Sequence, residues 1–169
     1  AKRSAVGARI VIEDPSDPHV VFTVRSENLR SHKGQISFPG GRLDEGEDAV
    51  VGGLRELREE IGVRPQDVTI VGQLSPLYIP PSNSAVTPFV GILSRSGPWV
   101  ISEDEVAEII EVPLAQFLPP DTVRSTSRNL YGKPVDVPQW DIHPTIPLWG
   151  ATAMILNELV WLVRDYHHD

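Results

Sequence analysis

The segment GRLDEGEDAVVGGLRELREEIGV, residues 41–63, constrains the chain most, because it signals both ends of one helix and sets three carboxylates along it. Asp48 is a good N-cap, since its carboxylate can accept from the free N–H groups of a first turn. Gly62 sits where a left-handed C-cap glycine is expected. Residues 49–61 then form the helical body. At about 100° per residue, Val50, Leu54, Leu57 and Ile61 make one apolar stripe, and Glu56, Glu59 and Glu60 fall on a face rotated roughly 130° away. One side is expected to pack and the other to coordinate. Gly52 and Gly53 lie on the carboxylate side one turn earlier. Glycine inside a helix costs about 1 kcal/mol relative to alanine, so a close approach to the backbone is expected there.

Strand signals surround this helix. ARIVIE at 8–13 and HVVFTV at 19–24 flank the turn-rich DPSDP and read as an antiparallel pair. VTIVGQL at 68–74 and AVTPFVGIL at 85–93, separated by a loop around Pro80 and Pro81, read as core strands. An apolar stretch at 109–112 leads to a short helical piece after Pro113. Residues 122–140 read as an irregular hairpin turning at Tyr131 and Gly132. Residues 149–163 contain no breaker and space Ile155, Leu159 and Leu162 as a helix would. Apolar residues nearly encircle this last helix. It suits burial in its own domain, the first expectation, or a contact in a homodimer. The expected class is α+β, one domain over 1–169 with a sheet sandwiched by helices.

Composition narrows the function. Cysteine is absent, which excludes a disulfide scaffold or thiolate metal site and fits a reducing, cytoplasmic compartment. No apolar run approaches the roughly 20 residues needed to span a bilayer. The first ten residues lack the apolar centre of a signal peptide, and residue 1 is Ala rather than Met, as in a processed or trimmed chain. No membrane association is expected. A net charge of −8 argues against nucleic-acid partners. Arg25, Arg30, His32, Lys33 and Arg42 nevertheless cluster just ahead of the carboxylate helix, a basic approach to an acidic site.

Three carboxylates this close repel one another unless a cation neutralises them, and oxygen-only ligation selects a hard cation such as Mg2+ or Mn2+. A Glu- and Arg-rich helix face is most often simply solvated, held by pairs such as Arg55 with Glu59. Spacing decides against that here. Gly41, Glu47, Arg55, Glu56, Leu57, Glu59, Glu60, Gly62 and Val63 match every fixed position of G-x5-E-x7-R-E-U-x-E-E-x-G-U, the Nudix box, where U is aliphatic. The chain resembles the Nudix hydrolases, which cleave nucleoside diphosphates linked to another moiety. The resemblance implies a mixed sheet between helices in an α/β/α sandwich. It implies Glu56 and Glu60 as main ligands of Mg2+ or Mn2+, with Glu59 nearby and the Gly40 carbonyl as a further ligand. Glu47 and Arg55 are implied as the orienting ion pair, supported by Gly41.

Upstream, VFTVRSENLRSHKGQISFPGG at 21–41 resembles the second signature of the coenzyme A diphosphatase subgroup, with Arg25, Ser26, Arg30, Gly34, Phe38, Pro39, Gly40 and Gly41 in place. Val21 and Phe22 depart from the usual leucine pair. The resemblance implies a small-molecule substrate, coenzyme A or acyl-CoA, split into 3′,5′-ADP and (acyl-)4′-phosphopantetheine. Its diphosphate and 3′-phosphate suit Arg forks and Lys point charges, with Arg25, Arg30 and Lys33 the binding candidates. Phe38 is expected to pack, and His32 to lie on the surface. For the general base Glu59 ranks first and Glu105 second, with Glu103 and Glu108 close by. The rivals are a Nudix enzyme acting on ADP-ribose, a dinucleotide or a nucleoside triphosphate, and a catalytically silent nucleotide-sensing module.

Overall fold

The computed structural model describes residues 1–30 and 32–168. The chain runs through β1 (Lys2–Val11), β2 (His19–Arg25), β3 (Ile36–Ser37), β4 (Gly40–Arg42), α1 (Ala49–Ile61), β5 (Val68–Gln73), β6 (Leu77–Ile79), β7 (Ser84–Leu93), β8 (Val106–Pro113), β9 (Arg124–Leu130), β10 (Lys133–Gln139) and α2 (Gly150–His168). β1 and β2 pair antiparallel, Ile10 opposite Val20, as their residue pattern led us to expect. β1 also pairs parallel with β7 along its whole length, from Lys2 opposite Ser84 to Val11 opposite Leu93. The other pairings in this eight-stranded sheet are antiparallel, so the sheet is mixed.

Alternation along β1 explains how one sheet buries two helices, because successive side chains point to opposite faces. Ala8 and Ile10, with Val20, Phe22 and Val90, join Leu156, Leu159 and Val160 of α2 in one core. Val11, Val21 and Leu93 pack on the other face with Leu57 and Ile61 of α1. Phe38 stacks on Phe22 at 4.9 Å. The outcome is the α/β/α sandwich that the resemblance implied.

Several boundaries differ from the expected ones. β1 begins six residues before Ala8, because the polar stretch from Lys2 gains partners in β4 and β7. β5 is an edge strand with largely exposed residues rather than a core strand, since β7 flanks it on one side. Hairpin β9–β10 is regular, with seven opposed pairs, and turns at Tyr131 and Gly132, whose φ values of 56° and 77° suit a primed turn. α2 continues five residues past Val163. Its inner face is buried, while Met154, Trp161, Leu162 and Tyr166 are exposed.

Candidate active site

α1 begins and ends where its sequence dictates. Asp48 Oδ1 accepts from the N–H groups of Val50 and Val51 at 3.0 and 3.3 Å, and Gly62 closes the helix at φ 75°. A side chain at Gly52 would collide with Leu43 and Glu47, at 2.2 and 2.7 Å from its first carbon, so Gly52 admits the loop against the helix backbone. At Gly53 the expected close approach is absent, a Cβ there meeting only Ala5 Cβ at 3.5 Å.

That close docking corrects the picture of one packing side and one coordinating side. The buried residues of α1 are Gly52, Gly53, Leu57, Glu60 and Ile61. Glu60 is 6% exposed, and its Oε2 accepts the Gly40 N–H at 3.1 Å. The helix lies low enough on β4 that its carboxylate side is partly buried too. Burial, with Glu56 and Glu105 adding repulsion, pushes the Glu60 carboxyl up to about 8 despite the Gly40 N–H and the Arg25 charge. Burial likewise raises Glu56, against the pull of Arg55. The Glu56 carboxylate presses on Gly41, where a Cβ would stand 2.6 Å from its Cδ.

Arg55 organises the acids. Its Nε and Nη2 donate to Glu47 as a fork, both at 2.9 Å. Nη1 donates to Glu56 at 2.9 Å and to Glu59 at 3.2 Å, and Nη2 also reaches the Arg42 carbonyl at 3.2 Å. The guanidinium holds the Glu47 carboxyl down to about 2.

Glu105 arrives from the turn before β8, fixed by two backbone bonds: its N–H donates to Ser102 O, and its carbonyl accepts the Ser26 N–H, both at 3.0 Å. Carboxylate oxygens of Glu56, Glu59 and Glu105 lie within 4.8 Å of one another. Glu56, Glu60 and Glu105 line a cleft of about 240 Å³ whose basic rim is Arg25 and Arg42, with Gly40 and Gly41 at its edge. Glu59 stands outside this lining, its side chain 49% exposed. Arg30 and Lys33 are exposed and also outside it. Glu103 is exposed. Glu108 turns to the α2 face of the sheet and meets His143 Nε2 at 3.3 Å. Arg42 and Leu29 are lining residues that sequence reasoning did not single out for substrate contact; for Arg42 the available signal was adjacency to Gly41. The donor set fits a hard divalent cation: it is all oxygen and crowded, and burial, with repulsion from neighbouring acids, raises the pKa of Glu56 and Glu60, stress that a cation relieves.

A crowded carboxylate cleft with an arginine rim, on a mixed sheet between two helices, suits a divalent cation together with a phosphorylated ligand. The NUDIX domain model matches residues 3–132. The chain is 38% identical over 149 residues to an uncharacterized Nudix hydrolase, NudL, of Salmonella paratyphi B, covering 84% of this chain and 73% of the relative. A MutT/nudix family protein from Enterococcus faecalis superposes with TM-score 0.66 at 15% identity, over 96% of this chain and 62% of that one. The NUDIX domain of Shewanella oneidensis NrtR, solved with ADP ribose, gives 0.54 at 19% identity, over 69% and 75%. The chain belongs to the Nudix family. It is a hydrolase of pyrophosphate bonds, in a family that generally uses divalent metal ions.

Proposed function

We propose that the protein hydrolyses the diphosphate of coenzyme A or an acyl-CoA, releasing 3′,5′-ADP and (acyl-)4′-phosphopantetheine, with Mg2+ or Mn2+ as its cofactor. The observation that carries the reading is the split of the basic residues around the acidic cleft. Arg25 and Arg42 rim it, suited to a diphosphate, while Arg30 and Lys33 stand exposed on the loop leading out of it, suited to a separate 3′-phosphate. The upstream signature at 21–41 supports the same substrate.

Glu56 and Glu60 would hold the cation, with Glu59 and the Gly40 carbonyl completing the oxygen set. A divalent cation, when bound, offsets phosphate charge and acidifies water. Arg25 and Arg42 bind and orient the phosphate oxygens for in-line attack. Glu105 is the first choice for accepting the proton of the attacking water, because it lines the cleft while Glu59 is engaged by Arg55. Arg55 and Glu47 position Glu56 without touching substrate. The remaining parts of the reading are one folding unit over 1–169, a cysteine-free chain in the cytoplasm, and a homodimer face on α2 at Met154, Trp161 and Leu162.

Turnover of coenzyme A, 3′-dephospho-coenzyme A and ADP-ribose tests the substrate. The expected result is a clear preference for coenzyme A that Arg30→Ala with Lys33→Ala removes by raising its KM alone. Equal rates on all three would sink it, and no turnover of any would favour a nucleotide-sensing module.

A further inference from the structure

The C-terminal end of α1 borders a second cavity of about 240 Å³ that shares no lining residue with the catalytic cleft. Among the described residues lining it, two carry guanidinium groups, Arg64 and Arg95, and one a carboxylate, Asp67. Arg64 forks onto Asp67 at 2.9 and 3.1 Å, which occupies two of its five N–H donors. Arg95 Nη2 stands 4.0 Å from the same carboxylate, and its Nη1 donates to the Gly97 carbonyl. One acid thus faces two cations, and donors remain for a further oxyanion, although the chain as a whole carries −8.

The rest of the lining is mostly apolar, with Val63, Leu93, Pro98 and the Trp99 ring, and Ser94 adds a hydroxyl. The Trp99 ring is fixed in place: its Nε1–H donates to Glu111 Oε1 at 3.0 Å, and the neighbouring Val100 N–H is bonded to the Ile61 carbonyl at 3.0 Å. Ser96 is tied to Glu13 and Glu111, which do not line the cavity. A preorganised aromatic face beside paired guanidinium groups combines ring stacking with phosphoryl recognition. The volume of about 240 Å³ lies below the roughly 300–1,000 Å³ typical of sites for drug-sized ligands, which limits the occupant to a ligand no larger than a mononucleotide.

We propose that this cavity is a second binding site, for a nucleoside monophosphate, with the phosphoryl group on Arg64 and Arg95 and the base against Trp99. The site is independent of which diphosphate the cleft hydrolyses.

The test is calorimetric titration of the full chain in EDTA with AMP, adenosine and inorganic phosphate. AMP is expected to bind more tightly than either fragment. Arg95→Gln and Arg64→Ala should each weaken it at least tenfold, while Arg25→Ala in the cleft changes the Kd less than twofold. Arg95→Gln should keep the wild-type melting curve and turnover, which separates lost binding from lost folding. Failure of AMP to saturate at millimolar concentration would overturn the site. So would loss of binding in Arg25→Ala with none in Arg95→Gln, which would put the AMP in the cleft.

Discussion

Arg55 commits all five N–H donors within one cluster, to Glu47, Glu56, Glu59 and the Arg42 carbonyl. A lysine keeps the charge but not the fork. Arg55→Lys should therefore lower cation affinity and turnover by roughly 10–100-fold, the range for residues that hold ligands in place, and Mn2+ binding followed by electron paramagnetic resonance checks the first part. Glu60 gives a pH dependence of opposite sign to that of an ordinary ion-paired acid. With the folded carboxyl near 8 against an ordinary 4.5, the native metal-free protein holds a proton between those values that the unfolded chain has released. Stability is then full below about 4.5 and falls as pH rises toward 8, by at most about 1.4 kcal/mol per pH unit. Urea unfolding in EDTA at pH 5 and pH 8 measures this, and Glu60→Gln should flatten the difference. Glu47, held near 2 by Arg55, works the other way: its contribution is present above 4.5 and lost in acid. Arg9 is a different kind of residue. It is 1% exposed with Nε and Nη1 unpartnered, and burial lowers its pKa to about 10.

Gly52 of α1 shows how an element is tuned to its neighbour rather than to itself. Alanine at Gly52 would gain about 1 kcal/mol of helix propensity. It would also set a carbon 2.2 Å from Leu43 and 2.7 Å from Glu47, an overlap that typically costs 1–3 kcal/mol. Gly52→Ala should lower the melting temperature and, by displacing Glu47 from Arg55, reduce turnover. Unchanged values of both would show that the loop yields. The need for glycine at Gly52 was legible in the sequence, because a helix that gives up propensity in its interior does so where another segment must reach its backbone. At Gly53 the same reasoning fails, since a Cβ there would make an ordinary contact with Ala5. Both ends of α1, the β1–β2 pair and the β9–β10 turn were legible too, since they depend on local residues such as Asp48, Gly62 and Gly132. Strands of two or three residues, β3, β4 and β6, carry too little periodicity to read. A helical wheel gives the angle between Glu56 and Glu60 but not how deeply the helix sits, so the burial of Glu60 was hidden. Glu105, 45 positions from Glu60, was nameable as a nearby acid, but its entry into the cleft depends on the β8 pairing.

At the scale of the molecule, β1 is the element through which both halves of the sandwich communicate. The pairing that centres it, parallel to β7, joins residues about 82 apart, so neither chain neighbourhood nor a turn motif announced it. Its consequence is physical: one strand gives Ala8 and Ile10 to the core beneath α2 and Val11 to the core beneath α1. Loss of either core leaves the sheet with an uncovered apolar face, and the protein should not unfold one layer at a time. Leu57 and Leu156, both 0% exposed, lie on opposite sides of that sheet. Truncating either to alanine should cost about 2–5 kcal/mol through lost burial and the cavity left behind. Because the two sites share no contact cluster, the double variant should lose the sum of the single losses to within about 0.5 kcal/mol. Urea unfolding followed by tryptophan fluorescence and by far-ultraviolet circular dichroism checks both points. The two signals should change together at one midpoint in the wild type and in each single variant, as a two-state unit requires. If Leu156→Ala instead separates the transitions, with α2 melting while the Glu56–Glu60 helix and its turnover survive, residues 1–169 would comprise two folding units, and the active site would need only the half that carries α1.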